Sequence, residues 1–313
     1  MRSERATNCA KRPCCVGKVC RLFMLSLRGV RRYLSTVSRA QKYSMAPEAP
    51  QDPAAYCREL VRKHDYESFL ISKFWPTGTL QDGYFAIKAF STELAMIQDN
   101  VSVATIGAVR MQFWRDAVRD IYADKPPRHP VALALHRATQ NASLPAYHLK
   151  RIVDARDEEL RTTSYPTSDA LVAHAESVSS SVLYLLLALR GLGGAEDLAH
   201  AASHLGTAQT LATLLWSLPH HAGQRRLPIP LDLSVFDFAV LANDHMLTAR
   251  EVFKSTGGKV PAVAMPVFLA GVPVASFLEQ LEQVNFDAFA RSLAMRDWRL
   301  SWRIWSGYYR RVF

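Results

Sequence analysis

Apolar side chains recur in this chain at the spacing of a helix. Ile87, Phe90, Leu94, Ile97 and Val101 are separated by 3, 4, 3 and 4 residues, which places them on one helical face. Residues 107–123 read as a second helix, with Val109, Phe113, Val118 and Ile121 apolar, stopped by Asp124-Lys-Pro-Pro. Further helices are predicted over 130–141, 145–160, 168–190, 195–217, 239–254, 274–284 and 297–312. Alternating runs of β-branched residues, from which a sheet would be built, are nearly absent. The fold class is therefore all-α, with no internal repeat at a solenoid period. With 313 residues, 49% of them hydrophobic, the chain can bury a sizeable core and is too apolar to be disordered.

Charge divides the chain. The formal net charge is +10, and residues 1–46 hold eleven of the 38 Lys and Arg but one of the 28 Asp and Glu. The rest is balanced and has no overall field to attract a polyanion, so nucleic acid is excluded as a partner. The leader is Arg-rich, Ser-bearing and almost free of acids. Over Arg21–Leu34 the basic Arg21, Arg28 and Arg32 oppose the apolar Phe23, Leu27, Val30 and Leu34. Such a basic amphipathic segment predicts mitochondrial import. A secretory signal fits poorly, because the apolar run Leu22–Leu27 is only six residues and more arginines follow it. Residues 1–45 are read as transit peptide and linker, and 46–313 as the folded domain. Cys9, Cys14, Cys15 and Cys20 lie in the leader without the paired spacing of a zinc site. Cys57 is left alone in the body, as suits a reducing compartment.

Two segments bear on membrane insertion. Val182–Leu189 is apolar but short, preceded by four serines in five positions and followed by Arg190. Val260–Leu278 has nineteen uncharged residues but contains Pro261, Pro266, Pro273 and Gly271. It reads as a proline-broken core segment, and no integral span is predicted.

Several groups of residues could carry chemistry. Asp116 and Asp120 stand one helical turn apart, and Asp154, Asp157 and Glu158 form a second acidic knot. Facing pairs of this kind could hold Mg²⁺ against a diphosphate. Arg115, Arg119, Arg151, Arg156 and Arg161 interleave with them, which favours solvated ion-pair ladders. Glu196, His200 and His204 recur every fourth residue with no third histidine nearby in sequence, so a metal site is not favoured. His220-His221 has no recognisable partner, Cys57 no nucleophile signature, and Gly191-Leu-Gly-Gly reads as a turn that ends a helix. Trp298, Trp302, Trp305 and Tyr309 step by 4, 3 and 4 with arginines around them. Such a stripe usually packs into a core; the functional alternative is an aromatic belt at a membrane or client surface.

Tyr84-Phe-Ala-Ile-Lys-Ala-Phe90, Phe113-Trp-Arg115, Ile121-Tyr-Ala-Asp-Lys-Pro-Pro-Arg-His-Pro130, Leu205-Gly-Thr-Ala-Gln209 and Arg226-Leu-Pro228 together resemble the squalene/phytoene synthase family, from about Ala54 to the end of the chain. Glu93-Leu-Ala, Asp99, Thr105-Ile-Gly, Arg110-Met-Gln-Phe-Trp114, Lys259-Val-Pro and Asn285-Phe-Asp-Ala-Phe289 are similar to its non-catalytic mitochondrial branch, whose members assist assembly of respiratory complex I. The resemblance implies an isoprenoid-synthase-type helical bundle with a degenerate central cavity.

It also locates departures. Where the family's synthases carry a first aspartate-rich motif, this chain reads Ala95-Met-Ile-Gln-Asp99, with only the last carboxylate. The second motif would follow Gln209, yet 211–220 contains no acid. Between Pro230 and Ala249-Arg250 the chain is shorter than the family by about one helix. What the resemblance implies is a pseudoenzyme without catalytic residues, metal ligands or cofactor. Phe90, Asp99, Gln209 and Trp216 are then candidates to line the vestigial cavity, with a lipid or isoprenoid as its ligand. Trp298, Trp302, Trp305 and Tyr309 are candidates for membrane or client contact. The implied partners are complex I assembly intermediates or a membrane core subunit, met on the matrix side of the inner membrane by peripheral association. The alternative is an active Mg²⁺-dependent prenyl-diphosphate transferase.

Overall fold

The start of the ordered chain is set by a cap. Asp52 accepts a hydrogen bond from the Ala54 amide, and Pro53 takes the first helical position of α1, Pro53–His64. Asp65 ends α1 through its backbone and caps α2, Tyr66–Ile71, through its side chain. The computed structural model describes residues 52–313, apart from 102, 163, 225–228, 231–232 and 296. The predicted leader and the Arg226-Leu-Pro228 motif lie outside the described residues.

The remaining helices fall close to the predicted spans, although over 104–122 Val109 and Phe113 are exposed and the buried side is Met111, Trp114, Val118 and Ile121. These helices are α3, Thr79–Asn100; α4, Ala104–Tyr122; α5, Pro130–Asn141; α6, Ala146–Glu159; α7, Ser168–Leu189; α8, Glu196–Gly223; α9, Val235–Glu251; α10, Gly271–Gln283; and α11, Leu300–Arg310. No strand occurs among the described residues. Within α3, every side chain from Tyr84 to Phe90 is buried, as in a helix surrounded by others. It packs against α1, α5 and the second half of α7. On the other side, α8 pairs with α9, and a second, smaller core joins Leu211, Leu215 and Leu218 of α8 to Phe238 of α9 and Leu281 of α10.

The middle of α7 is a π turn, Glu176–Ser180, and its serines are structural. Ser179 shares a hydrogen bond with Thr210 of α8 at 2.7 Å, and the Ser180 hydroxyl donates to the Ser203 carbonyl at 2.8 Å. By length and composition α7 could cross a membrane, but more than half of its most apolar stretch is buried inside the fold. Gly191, in the left-handed region at φ 72°, turns the chain out of it. The proline-rich segment behaves as predicted: residues 264–274 are buried and split between a short turn, Met265–Phe268, and α10.

Candidate functional site

The C-terminal ends of α3, α6 and α8 meet the loop before α7 and its first turns, and here a buried ion pair lies beside a cavity. Glu159, in the last turn of α6, accepts a hydrogen bond from Arg156 Nη1 at 2.6 Å, and its carbonyl receives Gln98 of α3 at 3.3 Å. Burial raises the Glu159 carboxyl, but the Arg156 charge, with His174, the Arg156 hydrogen bond and His221, holds it below the usual range. His174 of α7 lies 3.9 Å from the same carboxylate. Burial, opposed by Glu159 and aided by Arg156, pushes this imidazole down to about 4. It is therefore neutral at pH 7, and Arg156 is the cation that secures Glu159.

Beside them a cavity of about 370 Å³ opens between α6 and α7, lined by Ala155, Glu158, Thr162, Tyr165, Pro166, Ala170, Ala173, His174 and Ser177. The Tyr165 ring lies 5.2 Å from that of His174. Among the described residues its buried hydroxyl has no hydrogen-bond partner, and neither do Arg156 Nε and Asp157 Oδ1. Burial, followed by the Glu159 charge, pushes the Tyr165 hydroxyl well up, so it stays a neutral donor. Outside the cavity lining, His220 of α8 places Nε2 3.9 Å from Asp99 Oδ1 at the end of α3, with both side chains more than half exposed. His220-His221 thus has the partners that sequence reading did not find: Asp99 for the first, and the field of Glu159 for the second.

Of the cavity candidates, Asp99 reaches this site. Phe90 is fully buried in the main core, edge-on to Trp114 at 5.4 Å. Gln209, Thr213, Trp216 and His220 step along one side of α8, increasingly exposed toward the end that meets Asp99. Sequence reading passed over Glu159, Tyr165 and His174, and took Arg156 only as part of a solvated ladder. The one local signal for them was a carboxylate next to the acidic knot with an arginine three residues before it.

The acidic groups sort differently. Arg115 of α4 clasps Asp154 and Asp157 of α6, each at 2.8 Å, and Arg161 adds a bond to Asp157. Asp157 is buried, so the expected solvated ladder is here an inter-helix tie. Asp116 and Asp120 do remain on the surface with Arg119. His204 gains a partner from a distant part of the chain: its Nδ1 lies 2.8 Å from Nδ1 of His245 on α9. Among the described residues, no three His, Cys, Asp or Glu side chains are arranged to hold a metal ion. Burial first, then nearby carboxylates, pushes the Cys57 thiol up to about 12, which makes it unreactive.

The C-terminal aromatic stripe overturns the expectation of core packing. Trp298, Trp302, Trp305 and Tyr309 are 81%, 64%, 44% and 66% exposed. The inner side of α11 is instead formed by Ile304 and Gly307.

Residues 61–234 match the family model described as squalene/phytoene synthase. The chain is 37% identical to "NADH dehydrogenase (ubiquinone) complex I, assembly factor 6" of Rattus norvegicus, over 84% of each chain. It is 36% identical to the Mus musculus protein of the same name, over 87% of this chain and 89% of that one. Among solved structures, squalene synthase HpnC from Alicyclobacillus acidocaldarius superimposes with a TM-score of 0.64 at 17% identity, covering 76% of this chain and 95% of that one. The shared architecture is the all-α isoprenoid synthase fold. By the extent of the family match and of its relatives, this chain belongs to the squalene/phytoene synthase family.

Proposed function

We propose that this protein is an assembly factor for mitochondrial respiratory complex I, acting early in the biogenesis of a membrane core subunit. The observation that carries the reading is similarity to named assembly factors along more than four-fifths of both chains. The basic, acid-poor leader supports import into mitochondria. We place the folded part on the matrix side, peripheral to the inner membrane.

The site chemistry supports a role without prenyl transfer. A divalent cation bridging to a diphosphate needs several carboxylates from facing helices. At the ends of α3 and α8 one carboxylate, Asp99, faces an imidazole, and 211–220 contains no acid. The nearby Glu159 is engaged by Arg156. These residues do not fit a hydrated Mg²⁺ ion, and a synthase fold is then kept for binding. We propose a lipid or isoprenoid as ligand, with its polar end at the cavity beside Tyr165, where the unpartnered hydroxyl would donate to one acceptor.

Two measurements test this. Blue-native separation of respiratory complexes from cells lacking the gene should show complex I depleted and the other complexes retained. The purified full chain, given Mg²⁺ and farnesyl or geranylgeranyl diphosphate, should release no pyrophosphate above the metal-free control. Metal-dependent turnover would favour an active transferase and overturn the reading, as would normal complex I in the deletion.

A further inference from the structure

Helix α11 is fastened on one side and bare on the other. Ile304 and Gly307 are buried, and the Tyr308 ring lies 4.8 Å from that of Phe74. Past the helix the chain folds back, with the Phe313 ring 5.5 Å from Phe268 and 6.1 Å from Phe253. The Phe313 carbonyl accepts a hydrogen bond from Arg250 Nε at 2.5 Å. The outer side of the helix is therefore held in a fixed presentation.

That outer side is a continuous aromatic ridge. Trp302 and Trp305 stack at 4.7 Å with their planes 19° apart, and Tyr309 follows Trp305 at 4.8 Å. Trp298, two residues before the helix, is the most exposed of the four, with the Arg299 guanidinium 5.4 Å from its ring centroid. Exposed aromatic surface of this extent marks an interaction site.

The surrounding charge identifies the partner. Glu279 and Asp297 are both engaged by Arg303. Arg291, Arg299, Arg310 and Arg311 are exposed, and none of them forms an ion pair among the described residues. An apolar protein segment would match the rings but leave these cations without anions. The headgroup layer of an anionic bilayer supplies both requirements: an amphipathic depth where indole and phenol rings settle, and phosphates for the guanidinium groups.

We propose that the outer face of α11 is the surface by which this protein sits on an anionic phospholipid bilayer. Trp298, Trp302, Trp305 and Tyr309 lie at headgroup depth, and Arg299 and Arg310 rest on lipid phosphates. The inference rests on the peripheral membrane placement proposed above and supplies its residues and lipid chemistry.

Tryptophan fluorescence of the full chain tests it, because no tryptophan precedes Trp75; the basic leader adds no tryptophan emission, and its own attraction to anionic lipid is common to every variant compared. The probes are vesicles of phosphatidylcholine with brominated acyl chains, with and without phosphatidylglycerol. The expected result is a blue shift and quenching on the anionic vesicles and a much weaker response on the neutral ones. Trp302→Ala with Trp305→Ala should weaken this binding about tenfold, and Arg299→Gln with Arg310→Gln should remove a similar factor of the anionic preference. All four sites are on the surface, so the unfolding midpoint should not move. No quenching by the unaltered chain, or unchanged quenching in the tryptophan variant, would overturn the proposal. Lost complex I rescue by that variant without any vesicle binding would assign the ridge to a protein client instead, and would also overturn it. Vesicle binding is read without complex I, so its failure leaves the assembly reading separately testable.

Discussion

Gly206 of α8 lies directly against Ser180 in the π turn of α7. A Cβ on this glycine would come within 2.4 Å of the Ser180 hydroxyl oxygen, 2.5 Å of its nitrogen and 2.6 Å of its Cα. The two helices cross backbone to backbone at this point, and the extra residue of the π turn is accommodated by an absent side chain.

Gly206→Ala should therefore destabilise the fold even though alanine is the better helix former. Overpacking at such a contact costs roughly 1–3 kcal/mol, against about 1 kcal/mol gained in helix propensity. A thermal unfolding midpoint lower by several degrees would register the difference. Ser180→Ala should not rescue it, because two of the three close atoms belong to the backbone. An unchanged midpoint would show that the helices separate freely there.

Acid should weaken the fold before it reaches the carboxylates. His129, His148, His174, His204 and His245 are all held below the ordinary imidazole range, in each case chiefly by burial. The unfolded chain takes up these protons near 6.5 and the folded chain resists them. Stability is then full above that pH and declines as the pH falls toward about 4, where His174 titrates in the fold. His174 alone accounts for at most about 3 kcal/mol of this decline. Urea midpoints at pH 7.5 and pH 5 should differ in that direction, and His174→Gln should narrow the gap.

The Arg156–Glu159 pair should behave as a unit. Glu159→Gln leaves a largely buried guanidinium without its anion, and removing one partner of such a pair costs about 3 kcal/mol. Replacing both residues with methionine should recover much of that loss. A double-mutant cycle on urea unfolding reads the coupling, and simple additivity would contradict the pairing.

Helix α3 was legible because a 3-and-4 apolar rhythm has one structural meaning, and the stripe from Ile87 to Ile97 is buried as that rhythm requires. By contrast, α2 has only six residues, too few periods to read, while α1 was missed although Cys57 and Val61 stand one turn apart on its buried side and Asp52 with Pro53 marks its start. The candidate site was hidden for another reason. Asp99 and His220 are brought together by the fold across more than a hundred residues, as are His204 and His245, and no local pattern encodes either pairing. The aromatic stripe of α11 shows a third limit: a 4, 3, 4 spacing defines a face without saying whether that face looks inward or outward. The arginines around it, of which Arg303 is paired with Glu279 and Asp297 while Arg299 and Arg310 form no ion pair among the described residues, became informative only once the face was seen to look outward.

The most direct measurement is blue-native separation of complex I in gene-deleted cells given back either the unaltered chain or Asp99→Ala. If Asp99 is only the remnant of a metal clamp, now paired with His220 with both side chains solvent-exposed, both chains should restore complex I to the same level. Rescue by the unaltered chain but not by a stably expressed Asp99→Ala chain would contradict the account, since that carboxylate would then be at work in the protein's function.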